Sequence, residues 1–572
     1  GETLDKDTVL QEYPRPQLRR ESFYNLNGVW NYAVTPSGDE PEVWDGEIVV
    51  PFSPEAPLSG AARGPAKDEY LHYRRGFTLP EGFQKSRVLL HFGAVDQIAE
   101  VFVNGVSAAK HSGGYWPFSA DITSLLREGE NILRVTVRDN ADDPTFAYGK
   151  QRYKRGGMWY TAQSGIWQTV WLESVPEVYV KSLRITPEFD AARVRIELET
   201  ALESSAAITC DVRAADGSFV AGSWAKGGVC VVPLPGFRAW TPDDPYLYTL
   251  DITCGEDRVE SYFAMRKFSY VELGGHKVFG LNNAPLFHNG LLDQGYYPDG
   301  LLTPPSDEAM VNDIETMKRC GFNMLRKHIK IEPLRWYYHC DRLGMIVWQD
   351  MVSGGQPYSF LHVSALPTLG KVDLPDKDAK PYGRSGVLSR ARFRREMADT
   401  VRLLYNCPCI ALWTVFNEGW GQFDALDMAN ELKKLDPTRF IDHASGWQDQ
   451  GYEEMKSRHI YFRPVKLKND GRALALTEYG GYILAVDGHR WTDKVFGYRI
   501  CRNSAALAHD YEKLMLGQVL PHIRKEGLTA AVYTQITDVE EELNGLMTYD
   551  REVLKIPEET LREINAALRF DA

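Results

Sequence analysis

The stretch "RFRREMADTVRLLYNCPCIALWTVFNE", residues 392–418, decides how the chain is read. Its first half places apolar side chains at helical spacing. After a Cys-Pro-Cys break, "IALWTVF" reads as a strand packed inward. A helix feeding such a strand belongs to a βα repeat, and the same alternation surrounds it. "DEAMVNDIETMKRCG" (307–321) is a helical pattern stopping at Gly321, where a capping glycine is expected. "FNMLRKH" follows as a strand, "RWYYHCDRLG" as a helix and "MIVWQDM" as the next strand. Repeated βα units over residues 273–572 predict a parallel α/β domain, a C-terminal (β/α)8 TIM barrel. The rival is an open doubly wound sheet, but no Gly-rich phosphate loop opens any of these helices.

Upstream the period changes to two. "SRVLLHFGAVDQIAEVFVNGV" (86–106) holds two strand-like runs, Asn104-Gly105 is a hairpin signal, and "NILRVTVRDN" (131–140) alternates like a half-buried strand. Residues 1–178 therefore read as one β-sandwich. Residues 179–272, with "VRIELET", "AITCDVRAADGSFV" and "LYTLDITCGEDRVESYFAMRKF", have the length and strand content of an immunoglobulin-like β-sandwich.

At 572 residues the chain exceeds one ordinary core, which agrees with several domains. Its net charge of −13 disfavours nucleic acid or an anionic membrane as partner. The 14 Trp and 29 Tyr supply flat faces and phenol donors that suit sugar rings, although large β-rich proteins also pack many aromatics. The eight cysteines lack metal-site spacing and read as buried thiols, with a bridge among Cys210, Cys230 and Cys254 left open. No apolar run is long enough to span a bilayer. The opening has no signal-peptide pattern but begins with Gly; the expectation is a periplasmic or secreted protein whose export signal has been removed, with the cytoplasm as alternative.

In a barrel the C-terminal ends of the strands face the active site. Asn417 and Glu418 end "IALWTVFNE", and Glu478 ends "ALALTEYGGY" (473–482) just before Gly480-Gly481. Two carboxylates from different strands are what glycosidic cleavage needs, one to protonate the leaving oxygen and one to attack or to activate water. The span between them leaves room for two further βα units. A single acid there would more often cap a helix or pair with a base; two in aromatic and glycine surroundings favour chemistry. Other presumed strand ends add Arg326, His328, Gln349, Asp350, Ser445, Trp447, His459 and Tyr461, each of which alone could be an ordinary core or loop residue. Trp413, mid-strand, reads as core, and Trp420 as a wall on the aglycone side. Asp293 in "GLLDQGYYPDG" is a candidate for a sugar hydroxyl, with a turn-forming aspartate as the alternative.

These stretches together resemble glycoside hydrolase family 2, the family of β-galactosidases, β-glucuronidases and β-mannosidases. "CPCIALWTVFNEGWGQ", "LTEYGG", "GFNMLRKHI" and "CDRLGMIVWQDM" carry the barrel resemblance. "YRRGFTLPEGF" through "GENILRVTV" is similar to the family's sugar-binding sandwich, which implies a jelly-roll β-sandwich for residues 1–178, and "WTPDDPYLYTL" with "MRKF" to its immunoglobulin-like domain. The resemblance implies retaining hydrolysis by double displacement, with Glu418 as acid/base and Glu478 as nucleophile. It implies that Asn417 holds the 2-hydroxyl, that Tyr461 orients or protonates the nucleophile, and that Arg326 keeps it ionised. His328, Asp350, Trp447, His459 and Gln535 are expected to bind substrate or support the site.

The chain departs from the family pattern at three places. Ala264-Met265-Arg266 replaces the usual junction motif, a packing change. In the last presumed strand, Tyr533 and Gln535 stand where many relatives carry a pocket-floor Trp. The Asn-x-Lys pair of glucuronidases is replaced by Glu542-Leu543-Asn544 before Gly545, and the acids at 540–542 would repel a uronate. A neutral sugar is therefore expected, a β-galactoside first, with a β-glucuronidase or β-mannosidase as runner-up. A non-catalytic carbohydrate-binding protein on the same scaffold is the alternative of another class. Neither a cofactor nor a metal is expected; the partner is a glycoside or oligosaccharide, and a homo-oligomer is allowed.

Overall fold

The computed structural model describes residues 1–202, 207–369 and 373–570. The N-terminal unit is a sandwich of a six-stranded and a four-stranded antiparallel sheet. In the larger sheet, Ile98–Val103 and Val106–Ser112 are joined by Asn104 and Gly105, both at positive φ (51° and 83°), as a primed hairpin turn requires. A second sandwich packs three strands against four, its core built from alternating inward residues such as Val194, Ile196, Val212 and Leu250. All eight cysteines are free and buried, so the stretch 210–254 holds no bridge.

The remainder is a barrel. Its strands are β1 (His288–Asp293), β2 (Met324–Lys327), β3 (Ile346–Asp350), β4 (Ile410–Thr414), β5 (Phe440–Asp442), β6 (Met455–Ile460), β7 (Ala473–Gly480) and β8 (Leu528–Thr534). They pair in parallel in the order β5-β4-β3-β2-β1-β8-β7-β6. The seam between β5 and β6 is closed by side chains: Ser457 Oγ lies 2.9 Å from Asp442 Oδ1 and 3.1 Å from the Ala444 carbonyl. Helices α1 (Asp307–Arg319), α2 (Leu334–Leu343), α3 (Val387–Leu404) and α4 (Ala425–Leu435) follow β1 to β4. The Ser306 hydroxyl caps α1 by accepting from Ala309 N, and Gly344 at φ 74° ends α2.

Two full βα units do not fit between Glu418 and Glu478. Strands β5 and β6 are there, but 443–454 and 461–472 are loops, and α4 is the one helix in that span among the described residues. The bottom of the barrel is plugged by the hairpin Phe268–Leu273/His276–Leu281, whose Phe279 stacks on Phe440 at 4.2 Å and packs on His288 and Trp348. At the opposite, C-terminal mouth, the first sandwich reaches over the barrel: Tyr148 N and Gly149 N both donate to the Ser353 carbonyl beyond β3. No helix among the described residues is long and apolar enough to cross a membrane.

Candidate active site

Beyond Thr414 the chain stays paired to the next segment: Val415 N donates to the Asp442 carbonyl, Ser445 N to Phe416, and Glu418 N to Ser445. It then reverses. Trp420 N donates back to the Asn417 carbonyl at 3.0 Å, with Glu418 at φ 53° and Gly419 at φ 72°. Two central residues at positive φ are the signature of a type I′ turn, in which Gly is at ease and Glu is strained. The Glu418 backbone is further held by Trp447 Nε1, which donates to its carbonyl at 2.9 Å. That tight reversal stands Glu418 up at the mouth instead of letting it follow the strand.

Glu478 is aimed by a different device. Lumen-facing His459 pairs with Glu478, and the preceding pair is Arg458 with Leu476, so β7 carries an extra residue at Thr477. The same slip recurs against β8, between the pairs Leu476–Ala531 and Tyr479–Tyr533. Without this bulge, alternation from Ala475 would put Thr477 in the lumen and Glu478 outside. The bulge also turns the Thr477 carbonyl inward, where Arg326 Nη1 donates to it at 3.1 Å.

Arg326 on β2 is fully buried and organises the floor. Nε and Nη2 form a fork on Asp350 (2.9 and 3.0 Å), Nη1 donates to Glu478 Oε1 (3.1 Å), and Nη2 to Asn417 Oδ1 (2.8 Å). Burial works against its charge, but Asp350 and Glu478 outweigh burial and raise its pKa. Burial alone would raise Asp350; Arg326 and His328, whose Nδ1 lies 2.7 Å from Asp350 Oδ2, bring it down to about 2. The other Glu478 oxygen accepts from Tyr461 OH at 2.5 Å, a hydroxyl also 2.9 Å from Thr534 Oγ1. Tyr498 stacks on the Tyr461 ring at 3.9 Å.

His459 sits between the acids, its Nδ1 2.9 Å from Glu418 Oε1 and 3.6 Å from Glu478 Oε2, its Nε2 3.2 Å from Ser445 Oγ. Burial holds its pKa at about 3, so the imidazole is neutral at ordinary pH. Burial pushes Glu418 up, opposed by the charges of Lys150, His328 and Arg326. One ligand atom each of Glu418, His459 and Glu478 lies within 4.8 Å of the others. A metal ion could use such a trio, as it could the surface group His489, Asp550 and Glu552. In the first trio, however, the carboxylates are already engaged by Arg326, Tyr461 and His459.

The structure thus brings together Glu418, Glu478, Asn417, Arg326, His328, Asp350, Trp447, His459 and Tyr461. Other residues proposed from the sequence do not join them. Asp293 accepts from Lys327 Nζ (2.6 Å) and from Gly295 N (2.9 Å), because strand alternation turns it outward beside Lys327 while Leu292 and Arg326 share the opposite side. Both its oxygens are thus engaged, one in an ion pair and one in a turn, and the turn is the alternative the sequence offered. Gln349 likewise faces out, to Tyr337 and the Lys330 carbonyl. Tyr533 packs outward on Tyr479 and Tyr511 and is no pocket floor. Gln535 is buried, donates to Asn544 Oδ1 at 2.8 Å, and neighbours Glu542. Trp413 is core, donating to Asp436, and Trp420 meets Trp159 of the sandwich edge-on at 5.2 Å.

Sequence reasoning missed the sandwich's share of the mouth. Of the three acids at 540–542, Glu540 accepts from Arg155 and Thr161 N, and Glu541 from Gly157 N. Both clamp the sandwich loop and leave only Glu542 beside Tyr160, whose hydroxyl donates to it. Lys150 and Tyr160 come from a region with no barrel pattern, and nothing local in the sequence marks them.

Three stretches match one family: residues 57–176 its sugar binding domain, 178–266 the family's second module, and 304–467 its TIM barrel domain. The chain belongs to glycosyl hydrolases family 2. A β-galactosidase of Thermoanaerobacter pseudethanolicus is 25% identical over 387 residues, covering 64% of this chain and 47% of that protein. This glycosyl hydrolase family member therefore spans about half the length of the β-galactosidases it matches. A β-glucuronidase of Paenibacillus borealis is 22% identical over 535 residues, 83% of this chain and 85% of that one. Among solved structures, a β-glucuronidase of an uncultured Clostridium sp. superposes with a TM-score of 0.76 at 19% identity, covering 96% and 99% of the two chains. That likeness speaks for the fold.

Proposed function

We propose that the chain is a retaining exo-β-glycosidase acting on terminal, neutral β-linked sugars, with β-galactosides as the first substrate, through a covalent glycosyl-enzyme. The observation that carries this reading is the spacing of Glu418 and Glu478. Oxygens within 4.8 Å suit the short carboxyl separation of retaining enzymes, about 5–5.5 Å, and leave no room for the water of an inverting site. Glu478, with Arg326 on one oxygen and Tyr461 on the other, is arranged to carry negative charge and attack the anomeric carbon. Glu418, raised by burial and more open, with 18% of its side chain exposed, holds the proton for the leaving oxygen and later takes one from water. Arg326 fixes the Asn417 carbonyl, so the amide NH2 is available to a 2-hydroxyl. The sandwich loop walling one side of the mouth suits a chain end.

A panel of nitrophenyl β-glycosides tests the reading. The expected result is turnover of the β-galactoside with the β-anomer as first product by NMR; an α-anomer, or no turnover of any β-glycoside, sinks it. A uronide is the second reading, favoured by the charge of Lys150 near the site and tested by the β-glucuronide in the same panel.

A further inference from the structure

Lys150 is a largely buried lysine at the mouth that the proposed chemistry leaves unused. It is 9% exposed, and no hydrogen bond or ion pair engages its ammonium among the described residues. Its backbone is pinned on both sides. Gly149 N donates to Ser353, and a side chain on Gly149 would meet Tyr115 OH at 2.9 Å and the Ile329 carbonyl at 3.0 Å. The Lys150 carbonyl accepts from Tyr160 N, Gln151–Arg152 pairs with Tyr160–Thr161, and Tyr160 OH donates to Glu542. Tyr160 thus links Lys150 to Glu542, its N–H on the Lys150 carbonyl and its hydroxyl on Glu542, and the charge of Lys150 acts to lower the pKa of Glu418, His328 and Glu542. The stem is packed away while the ammonium meets no protein acceptor among the described residues, so a group arriving in the mouth is its natural complement. A second carboxylate there would add a negative charge beside Glu542 and Glu478. Hydroxyls would satisfy both Lys150 and Glu542 without that penalty.

Resting on the glycosidase reading for its ligand, we infer that Lys150 and Glu542 together bind two hydroxyls of a neutral glycone, the ammonium donating to one and the carboxylate accepting from the other. The sandwich thereby supplies part of the sugar site, on the edge of the ring remote from the bond that breaks.

Calorimetric binding of a non-hydrolysed β-thiogalactoside, its monodeoxy analogues and a β-thioglucuronide tests this on the whole chain. K150M should weaken thiogalactoside binding about 30-fold. The loss should shrink below about threefold on the one deoxy analogue lacking the hydroxyl that Lys150 holds, and E542Q should single out a neighbouring position. K150R, which keeps the charge, should bind better than K150M if the site is folded, with thermal unfolding as the control. No loss in K150M, equal losses across all analogues, or a wild type that binds no thioglycoside overturns the inference. So does tighter wild-type binding of the thioglucuronide that K150M abolishes, which would make Lys150 a carboxylate ligand. Binding with this pattern but without turnover of any β-glycoside would leave the inference standing and remove the glycosidase reading instead.

Discussion

Glu418 and Glu478 are the same residue type, on strands of one barrel, with oxygens less than 4.8 Å apart, yet their surroundings have little in common. Glu478 sits low, gripped by a guanidinium and a phenol. Glu418 stands higher on a strained turn, touching a neutral imidazole, with no cation in hydrogen-bond contact among the described residues. On the proposed reading, the difference teaches that role in such a pair is set by the donors each carboxylate receives, not by its own chemistry. Fixed positive hydrogen-bond donors favour a group that must carry charge. Burial without a bonded cation favours one that must keep a proton.

Breaking the gripped side should cost most. Glu478→Gln is nearly isosteric and should lower kcat by about 10⁴-fold or more on nitrophenyl glycosides, with thermal unfolding unchanged or improved. Full activity would dissolve the contrast. On the open side, Glu418→Ala should cost about 10²- to 10⁴-fold, and azide should restore turnover as a β-glycosyl azide seen by chromatography. The pH profile carries a sign. On the proposed reading the acid works protonated, so activity should fall as pH rises through the elevated Glu418 value. In Glu418→Ala that alkaline limb should be gone; its persistence would move the acid role elsewhere.

Tyr461→Phe removes one donor and should lower kcat/KM by about 10- to 10²-fold, the worth of a hydrogen bond to a charged group. An effect under twofold would show that Arg326 alone sustains Glu478. The smallest effect on catalysis is expected at Asp293→Asn, where kcat/KM should stay within about twofold. Stability in urea should drop by about 1–3 kcal/mol as Lys327 loses one of its two buried carboxylates and keeps Glu332. A large loss of activity with stability intact would return Asp293 to the sugar site.

Local pattern announced much of this. Helical spacing and capping glycines marked α1 and α2, Asn104-Gly105 marked its hairpin, and acids at the ends of apolar runs marked Glu418 and Glu478. These features arise from neighbours a few residues apart, so they are visible in one dimension. Asp293 misled because it also ends an apolar strand. Which face it occupies depends on register against β2, and that is a property of two strands. The absent helices after β5 and β6 misled for a related reason, since a barrel seam can be closed by Ser457 and Asp442 side chains without a full βα unit.

The sequence by itself determined the kinds of domain, the βα rhythm of the barrel and the two glutamates, because hydrophobic period and turn chemistry are local. The tertiary structure alone decided that a bulge at Thr477 swings Glu478 into the lumen, that Arg326 bridges three strands, and that the sandwich brings Lys150 and Tyr160 to the barrel mouth. Those outcomes rest on hydrogen-bond pairing and packing between segments distant in the chain, where a shift of one residue reverses the direction a side chain faces.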